Sequence, residues 1–296
     1  MIQFKEDFLE VFLQTAVERH RIYIKKEKGL PKPWTEDVVF RDFFFCNLFR
    51  QYDKCSKWII KNIVPYDRWD LLMVYRFIST YETFKRLELI LSPRIDSLEE
   101  IEECLEQWSK HGKIFSGCFI RNPSTSQGAV QTYRAIFQVI RDMKKDGWSE
   151  DGSMKGWYLT SLERMCRNLK KYTGIGGFMA YEYACDFAYT GYFNPTDKDT
   201  WANMGPGAKR GMSFLLYGNA YHNIHPMDWL EYARDLLPIL RGRIKVEFPN
   251  DLYYLVVSMR EVEHWLCEYQ KYKKYHNFLQ GGDKVKHRKY DGRSNT

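Results

Sequence analysis

Two aspartates at 197–201 (DKDTW) are the first candidates for chemistry in this 296-residue chain. A carboxylate within hydrogen-bond reach of a reacting group can take a proton from it, so either aspartate could act as a general base. We predict Asp199 as a catalytic residue, with Asp197 and Trp201 as further candidates. The alternative is that both aspartates cap helices, a common role of this residue type.

A glycine-framed loop with two cations, GPGAKRG, follows at 205–211. Backbone amides at the start of a helix attract anions, and basic side chains add charge-assisted hydrogen bonds. We therefore predict a phosphate or pyrophosphate site at Gly205, Gly207, Lys209 and Arg210, with a turn bearing surface charges as the alternative. The loop is not a Walker A motif, because no Gly-Lys-Ser/Thr stands at the required spacing.

A second glycine-rich turn, YTGIGGFMA at 172–180, joins two predicted helices at 157–171 and 178–190. Such a turn leaves amides at a helix N-terminus for a phosphate, a contact that positions DNA without reading its sequence. The predicted DNA-binding residues are Gly174, Gly176, Gly177, Lys170 and Lys171. The alternative is an αα-hairpin whose glycines serve close packing.

The pattern at 172–180 resembles the helix-hairpin-helix of the helical DNA glycosylases. Those enzymes hold their essential aspartate at a similar remove, just before a helix, which is the position that Asp199 fits best. Enzymes of that group with lyase activity carry a Schiff-base lysine after the hairpin. This chain has Gly177-Phe178-Met179 there, so we expect no lyase mechanism.

Two further blocks combine rings with polar groups. Thr35 is predicted to cap a helix through Phe49, which would place Asn47 and Arg50 on one face as catalytic candidates, together with Asp53. On the last predicted helix, 252–272, Glu261, His264, Glu268 and Tyr272 lie near one face, and the candidates there are Glu263, His264 and Glu268. We expect a polar network there and no metal, because a single histidine supplies the only nitrogen ligand.

Helical spacing of apolar residues runs through almost the whole chain and predicts an all-α fold. The predicted helices include 67–91, 129–146 and one that opens with a capping box at Ser97. We expect one helical catalytic domain, 1–272, and a basic, flexible tail, 273–296. Within this domain, the long irregular stretch 112–128 is a candidate for function.

The composition excludes several classes of protein. No apolar run is long enough to span a bilayer, and the N-terminus lacks a signal-peptide pattern, so we expect a cytoplasmic location without membrane contact. Seven dispersed cysteines without a CxxC indicate free thiols. The net charge of +7 is concentrated in the tail and could hold a polyanion.

Several blocks together resemble one family, the phage thymine-hypermodification enzymes, which include the amino acid:DNA transferases, the alpha-glutamyl/putrescinyl thymine pyrophosphorylases and the helical domain of the 5-hydroxymethyluracil DNA kinases. The blocks, in chain order, are RIY through PWT (21–35), Asn47 to Asp53, Phe115 to Ile120, GIGGFMAYEYACDF (174–187), Trp201 with GPGAKRG, and His264 to Tyr272. Cys46 and Gln270 stand where the family pattern leads us to expect Thr and Asp.

The resemblance implies a reaction on double-stranded DNA that carries modified uracil. A free amine, from an amino acid such as glycine or from a polyamine, would displace phosphate or pyrophosphate from the 5-methylene carbon, and no cofactor is implied. Asp199 would take the proton of the amine, and Arg50, Lys209 and Arg210 would stabilise the leaving group. An arginine, Arg41 or Arg121, would bind an amino-acid carboxylate.

The target base would have to leave the duplex stack, which calls for an aromatic pocket. Trp34, Trp201 and Tyr181 are the candidates for its walls. Two other functions stay open on the sequence. One is a helix-hairpin-helix DNA glycosylase, and the other is a non-catalytic DNA-binding partner of a hydroxymethyluracil DNA kinase.

Overall fold

The computed structural model describes residues 3–63, 68–92, 97–112, 114–115, 132–148, 160–222, 224–225 and 228–282. Within these ranges the chain forms α1 (Glu6–Glu27), α2 (Val38–Asp42), α3 (Lys54–Asn62), α4 (Trp69–Ile78), α5 (Tyr81–Leu91), α6 (Leu98–Ser109), α7 (Thr132–Lys145), α8 (Leu162–Leu169), α9 (Gly177–Tyr189), α10 (Pro206–Tyr217), α11 (Asp228–Glu247), α12 (Tyr253–Val256) and α13 (Met259–Leu279). No β-strand occurs in these ranges, which confirms the all-α prediction.

The chain divides into two compact units. The terminal unit combines the described parts of Met1–Arg50 and Asp197–Ser294, and so contains α1, α2 and α10–α13. The central unit, Gln51–Thr196, contains α3–α9. The domain boundary that we placed after residue 272 falls inside α13, which continues to Leu279; residues 283–296 of the proposed tail lie outside the described residues.

The helix predicted from Thr35 through Phe49 is wrong. The structure has only the short α2, capped by Asp37, whose carboxylate accepts from the amides of Val39 and Phe40. At Phe43 the chain turns into extended backbone, with φ −123° and ψ 151°. Asn47 and Arg50 therefore share no helix face, and the spacing argument that grouped them with Asp53 fails.

Other predicted helices form with altered bounds. The stretch 67–91 is two helices, because Ser79 adopts a left-handed backbone (φ 45°) that ends α4. The last predicted helix begins later and runs further, as α13. The cap at Ser97 is present, since its hydroxyl accepts from the amide of Glu100. We did not predict α3 or α11, and α11 contains Pro238, a residue that usually ends a helix.

Close packing of α10 on α13 organises the terminal unit. A β-carbon added at Gly211 would lie 2.1 Å from the carbonyl oxygen of Leu266, and one at Gly207 would lie 2.3 Å from the sulfur of Cys267. Only glycine fits at either position, so these two residues let the helix backbones approach each other. The middle of α13, around Glu263, Leu266 and Cys267, is thereby held against α10.

The central unit has its own buried ion pair. Arg76 on α4 binds Asp186 on α9 through two nitrogens, and its Nη2 lies 2.8 Å from the Ser56 hydroxyl on α3. Arg76 and Asp186 are both buried, so a lost partner would leave a buried charge uncompensated. The pair and Ser56 thus join three helices of the central unit. No helix in the described part of the chain is long and apolar enough to cross a membrane.

Candidate active site

One face of α13 carries charged side chains into the interior of the terminal unit. Five of them expose less than a tenth of their surface: Arg260, Glu261, Glu263, His264 and Glu268. Glu261 has a structural role, because its carboxylate accepts from the amide and the hydroxyl of Ser258 and so caps the helix. The other four, with Lys271, form what we name the α13 polar cluster.

The main chain of residues 45–47 is bound to this cluster and to α1. The amide of Cys46 donates to Glu268 Oε2 at 3.0 Å, and the ring of His264 meets the carbonyl oxygen of Asn47 at 3.1 Å. From α1, Arg19 donates through Nε and Nη2 to the carbonyl of Phe45, at 3.3 and 3.2 Å. These backbone groups are engaged outside the segment, which explains why no helix continues through Phe49.

His264 is held as a neutral ring. A carbonyl oxygen can only accept, so His264 Nε2 carries the proton toward Asn47, and the lone pair is on Nδ1. Burial lowers the pKa of His264 well below its usual value, and the charges of Arg50, Arg260 and Lys271 lower it further. At neutral pH this imidazole therefore adds no positive charge to the cluster.

Lys271 and Glu268 form an ion pair at the C-terminal end of the cluster, with Nζ 2.6 Å from Oε2. Burial is the largest single influence and disfavours the ammonium, but the charges of Glu268, Cys46 and Cys267 and the hydrogen bond to Glu268 together raise the pKa of Lys271. The ammonium also lies 4.6 Å from the ring centroid of Phe45. Lys271 thus stays charged and anchored between an acid and an aromatic ring.

Glu263 lies where α10 begins. Its Oε2 is 3.3 Å from Nη1 of Arg260, and its Oε1 would be 3.6 Å from a β-carbon at Gly205, the N-cap residue of α10. One turn further along α13, burial raises the pKa of the Cys267 thiol to about 12, so Cys267 is a neutral neighbour of the cluster. The arrangement sets two buried carboxylates and a neutral imidazole among several cations beside a helix N-terminus.

Such a set of groups suits reactions in which a proton is removed while negative charge develops nearby. A carboxylate can accept the proton, and cations and amides can stabilise a leaving anion. Among the described residues, no group of three or more His, Cys, Asp or Glu side chains is placed to hold a metal ion.

A family model described as the helical domain of 5-hmdU DNA kinase matches residues 6–281, nearly the whole chain. The chain belongs to this family. The match confirms the resemblance that the sequence blocks indicated. A curated protein called 5-hmdU DNA kinase, from Bacillus phage SP10, is 23% identical over 305 residues. The match covers 94% of this chain but 46% of that protein, so the chain spans about half the length of its relative. No solved structure matches the chain.

The site residues that the sequence predicted in the terminal unit do not all lie together. Asn47 is buried and gives its carbonyl to His264, and the charge of Arg50 acts on that ring, so both border the α13 polar cluster. Glu263, His264 and Glu268 are members of it. Trp201 is half-buried in the loop before α10, and Trp34 lines a cavity of the same unit.

The predicted phosphate loop is the N-terminal turn of α10. Gly205 is its N-cap, and Pro206 is its first residue. Gly207 has a packing reason to be glycine, since it touches Cys267. Arg210 is exposed, and its charge lowers the pKa of Cys267 against the larger effect of burial. The ammonium of Lys209 lies 5.6 Å from the ring centroid of Trp229. Phosphate binding by this turn stays a prediction.

Asp199 is engaged in an ion pair. Its Oδ1 lies 2.6 Å from Nη2 of Arg241, and its side chain is 40% exposed. Residues 196–200 form a turn, and the next helix begins only at Pro206, so the expectation that Asp199 stands just before a helix is wrong. The carbonyl of Asp197 accepts from the amides of Thr200 and Trp201 and so closes this turn. A catalytic role for Asp199 stays a prediction.

In the central unit, the hairpin between α8 and α9 turns where the sequence predicted. Gly174 has φ +96°, a backbone that side chains other than glycine rarely adopt, and Gly176 is the N-cap of α9. Lys170 and Lys171 are exposed beside the turn, and Gly177 begins α9. Ile175 is buried and anchors the turn.

Sequence reasoning missed Arg260 and Lys271 as members of the cluster. A signal for both was available, because they lie on α13 at i, i+3 spacing from Glu263 and Glu268, as ion pairs on one helix face do. The interaction of Cys46 with Glu268 had no such signal, since it is made by a backbone amide. Tyr181 is buried in the central unit, and Arg121 lies outside the described residues.

Proposed function

We propose that this chain acts in the modification of 5-hydroxymethyluracil in double-stranded DNA, as an amine transferase. The substrate would be the base already phosphorylated on its 5-hydroxymethyl oxygen. The proposal is supported by membership of a family named for 5-hmdU DNA and by the sequence resemblance to the amino acid:DNA transferases. The observation that carries it is the α13 polar cluster beside the start of α10.

The proposed step is a displacement at the 5-methylene carbon. The nitrogen lone pair of a free amino acid or polyamine forms a bond to that carbon. The bond between the carbon and the phosphate oxygen breaks, and its electron pair leaves on the phosphate or pyrophosphate. At neutral pH the amine is mostly protonated, as ammonium, so a carboxylate must take one proton from the nitrogen before or during attack.

Glu263 is the carboxylate that the geometry favours as this base. It is buried in the cluster and lies beside the N-terminal turn of α10, whose amides and the side chains of Lys209 and Arg210 we propose for the leaving group. Asp199, the choice from sequence, stays a candidate; like Glu263 it pairs with an arginine, but its side chain is 40% exposed, whereas that of Glu263 is buried beside α10. Arg50, Asn47 and His264 would shape the pocket around the reacting nitrogen.

We propose that DNA is held by the α8–α9 hairpin as a helix-hairpin-helix. Support comes from the glycine pattern, the buried Ile175 between exposed glycines, and the exposed lysines beside the turn. In such a grip, backbone amides and cations bind phosphates and leave base recognition to other parts of the protein.

A second candidate function has specific support. The relative from phage SP10 is called a kinase and is about twice as long as this chain, so the chain could supply the DNA-binding part of a phosphorylation system without its own chemistry.

The test is to incubate the protein with DNA containing 5-phosphomethyluracil and with glycine or putrescine, to digest the DNA, and to analyse the nucleosides by mass spectrometry. An aminated nucleoside supports the transferase. Binding without a new nucleoside supports the DNA-binding part, and release of free base would indicate a glycosylase.

A further inference from the structure

A cavity of about 380 Å³ opens in the terminal unit beside the α13 polar cluster. Its walls come from three consecutive parts of the chain: the second half of α1, the loop 32–35, and residues 40–45. The volume falls within the range of roughly 300–1,000 Å³ that small-molecule sites occupy.

The cavity is aromatic and positively charged. The rings come chiefly from Trp34 and from Phe43, Phe44 and Phe45, and the cations are Arg19, Lys26, Lys32 and Arg41. None of the described residues that line it is acidic. Arg41 is the most solvent-accessible of these arginines, about half exposed, and lies 3.6 Å from Asp42, which is outside the lining. An anion is therefore favoured and a polyamine is repelled.

The indole of Trp34 is fixed in place. The indole Nε1 donates to the backbone carbonyl of Leu30 at 2.7 Å, and the backbone carbonyl of Trp34 accepts from Lys25 Nζ at 2.7 Å. The ammonium groups of Lys32 and Lys26 lie 5.0 and 5.8 Å from the ring centroid. A flat ring that packs on this indole would thus lie near two ammonium groups.

The cavity shares a wall with the polar cluster. Phe44 and Phe45 line the cavity, and the Lys271 ammonium lies 5.5 and 4.6 Å from their ring centroids. The next residue, Cys46, donates its amide to Glu268. A ligand in the cavity would therefore be separated from the cluster only by the segment 44–47.

We propose that this cavity binds the target nucleotide itself, a pyrimidine that has left the duplex stack and carries a phosphate. The pyrimidine ring would pack on Trp34 and Phe44, and the phosphate that links this nucleotide to the DNA backbone would pair with Lys32, Lys26 and Arg41. This inference rests on the proposed function for the identity of the base, and on the cavity alone for the class of ligand. The amine would then reach the base from the side of the α13 polar cluster, whose carboxylates attract it, because cations line the cavity.

The test is binding of thymidine 5′-monophosphate, measured by equilibrium dialysis at low ionic strength. Wild-type protein should bind it saturably, and Trp34→Ala should bind about 10-fold more weakly, the size of losing one stacking contact. Arg41→Ala should also weaken binding, while Trp34→Phe should keep most of it. The matched control is Lys28→Ala, which removes an exposed cation just past α1 that does not line the cavity.

Three results would overturn the assignment: no saturable binding by the wild-type protein, equal binding by Trp34→Ala and wild type when circular dichroism shows both folded, or displacement of the nucleotide by an equal concentration of inorganic phosphate. The last would mean that the aromatic wall contributes nothing. The dialysis needs no turnover, so its failure is distinct from a failure of the transferase. Nucleotide binding without amine transfer would keep the cavity and remove the reaction.

Discussion

His20 shows at the scale of one residue how the fold of the terminal unit fixes a protonation state. The ring is fully buried among Tyr23, Phe49, Phe248 and Tyr253, and neither nitrogen has a hydrogen-bond partner among the described residues. Burial, aided by the charge of Arg19, lowers its pKa to about 3. His20 is therefore neutral in the folded protein at any ordinary pH.

This gives a stability that depends on pH. In the unfolded chain His20 titrates near its usual 6.5, so between pH 6.5 and 3 only the unfolded state takes the proton, and stability falls as pH falls. The contribution of His20 to the pH dependence of the unfolding free energy is at most about 1.4 kcal/mol per pH unit. We expect His20→Phe to flatten the unfolding free energy between pH 6.5 and 4, measured by urea titration. Parallel curves for variant and wild type would contradict this.

Lys209 and Arg210 allow a test of the leaving-group site at the same scale. If these cations meet charge that develops only in the transition state, their loss should slow transfer about 100-fold and leave binding of unmodified DNA nearly unchanged. Lys209→Ala and Arg210→Ala should be compared with Lys274→Ala, which removes an exposed cation of α13. Equal losses of binding and turnover would make the two residues general DNA contacts.

At the scale of elements, the approach of α10 to α13 positions the candidate site. Gly211→Ala would press a β-carbon against the backbone of Leu266 and should destabilise the protein by about 1–3 kcal/mol, as overpacking does. Gly242→Ala is the matched control, because Gly242 lies inside α11 with open space around it, and alanine there should be neutral or about 0.5–1 kcal/mol stabilising. Thermal unfolding of the two variants measures the difference. Equal melting temperatures would refute the packing argument.

The α8–α9 hairpin gives a prediction about DNA. Lys170→Ala with Lys171→Ala should weaken binding to any duplex and reduce the salt dependence of log K by about 2, one for each phosphate contact. Lys57→Ala with Lys61→Ala, which removes two exposed cations of α3 in the same unit, should change it little. Fluorescence anisotropy at several salt concentrations gives both slopes. Identical slopes for the two double variants would exclude a specific grip by the hairpin.

Local signals in the sequence predicted the elements that local interactions decide. The glycine turn before α9, the cap at Ser97 and the shared face of Glu261, His264 and Glu268 depend on neighbours a few residues away. The helix predicted through residues 43–49 does not form, because the backbone there is bound by Arg19, His264 and Glu268, which are distant in sequence. The sequence indicates glycines at the start of α10 as a phosphate loop, but their packing on α13 depends on tertiary contacts that residue spacing does not reveal.

At the scale of the whole molecule, we propose that the chain divides two tasks between two units. The central unit contains the hairpin that we propose for DNA, and the terminal unit, built from both ends of the described chain, contains the polar cluster and the aromatic cavity. The sequence predicted a single domain because helical periodicity runs through both units without a linker-like composition. A substitution at the hairpin is thus expected to affect binding to any duplex, and a substitution in the α13 polar cluster is expected to affect transfer.

The most direct measurement of the central claim is a single-turnover transfer of ¹⁵N-labelled glycine or putrescine to 5-phosphomethyluracil DNA, followed by nucleoside mass spectrometry. We predict a labelled nucleoside with the wild-type protein and a rate about 10²–10⁴-fold lower with Glu263→Gln, which keeps the shape of the side chain and loses the base. Asp199→Asn should slow transfer less, and the exposed Glu231→Gln should match wild type. No labelled nucleoside, or a wild-type rate with Glu263→Gln, would contradict the proposal that the α13 polar cluster performs amine transfer.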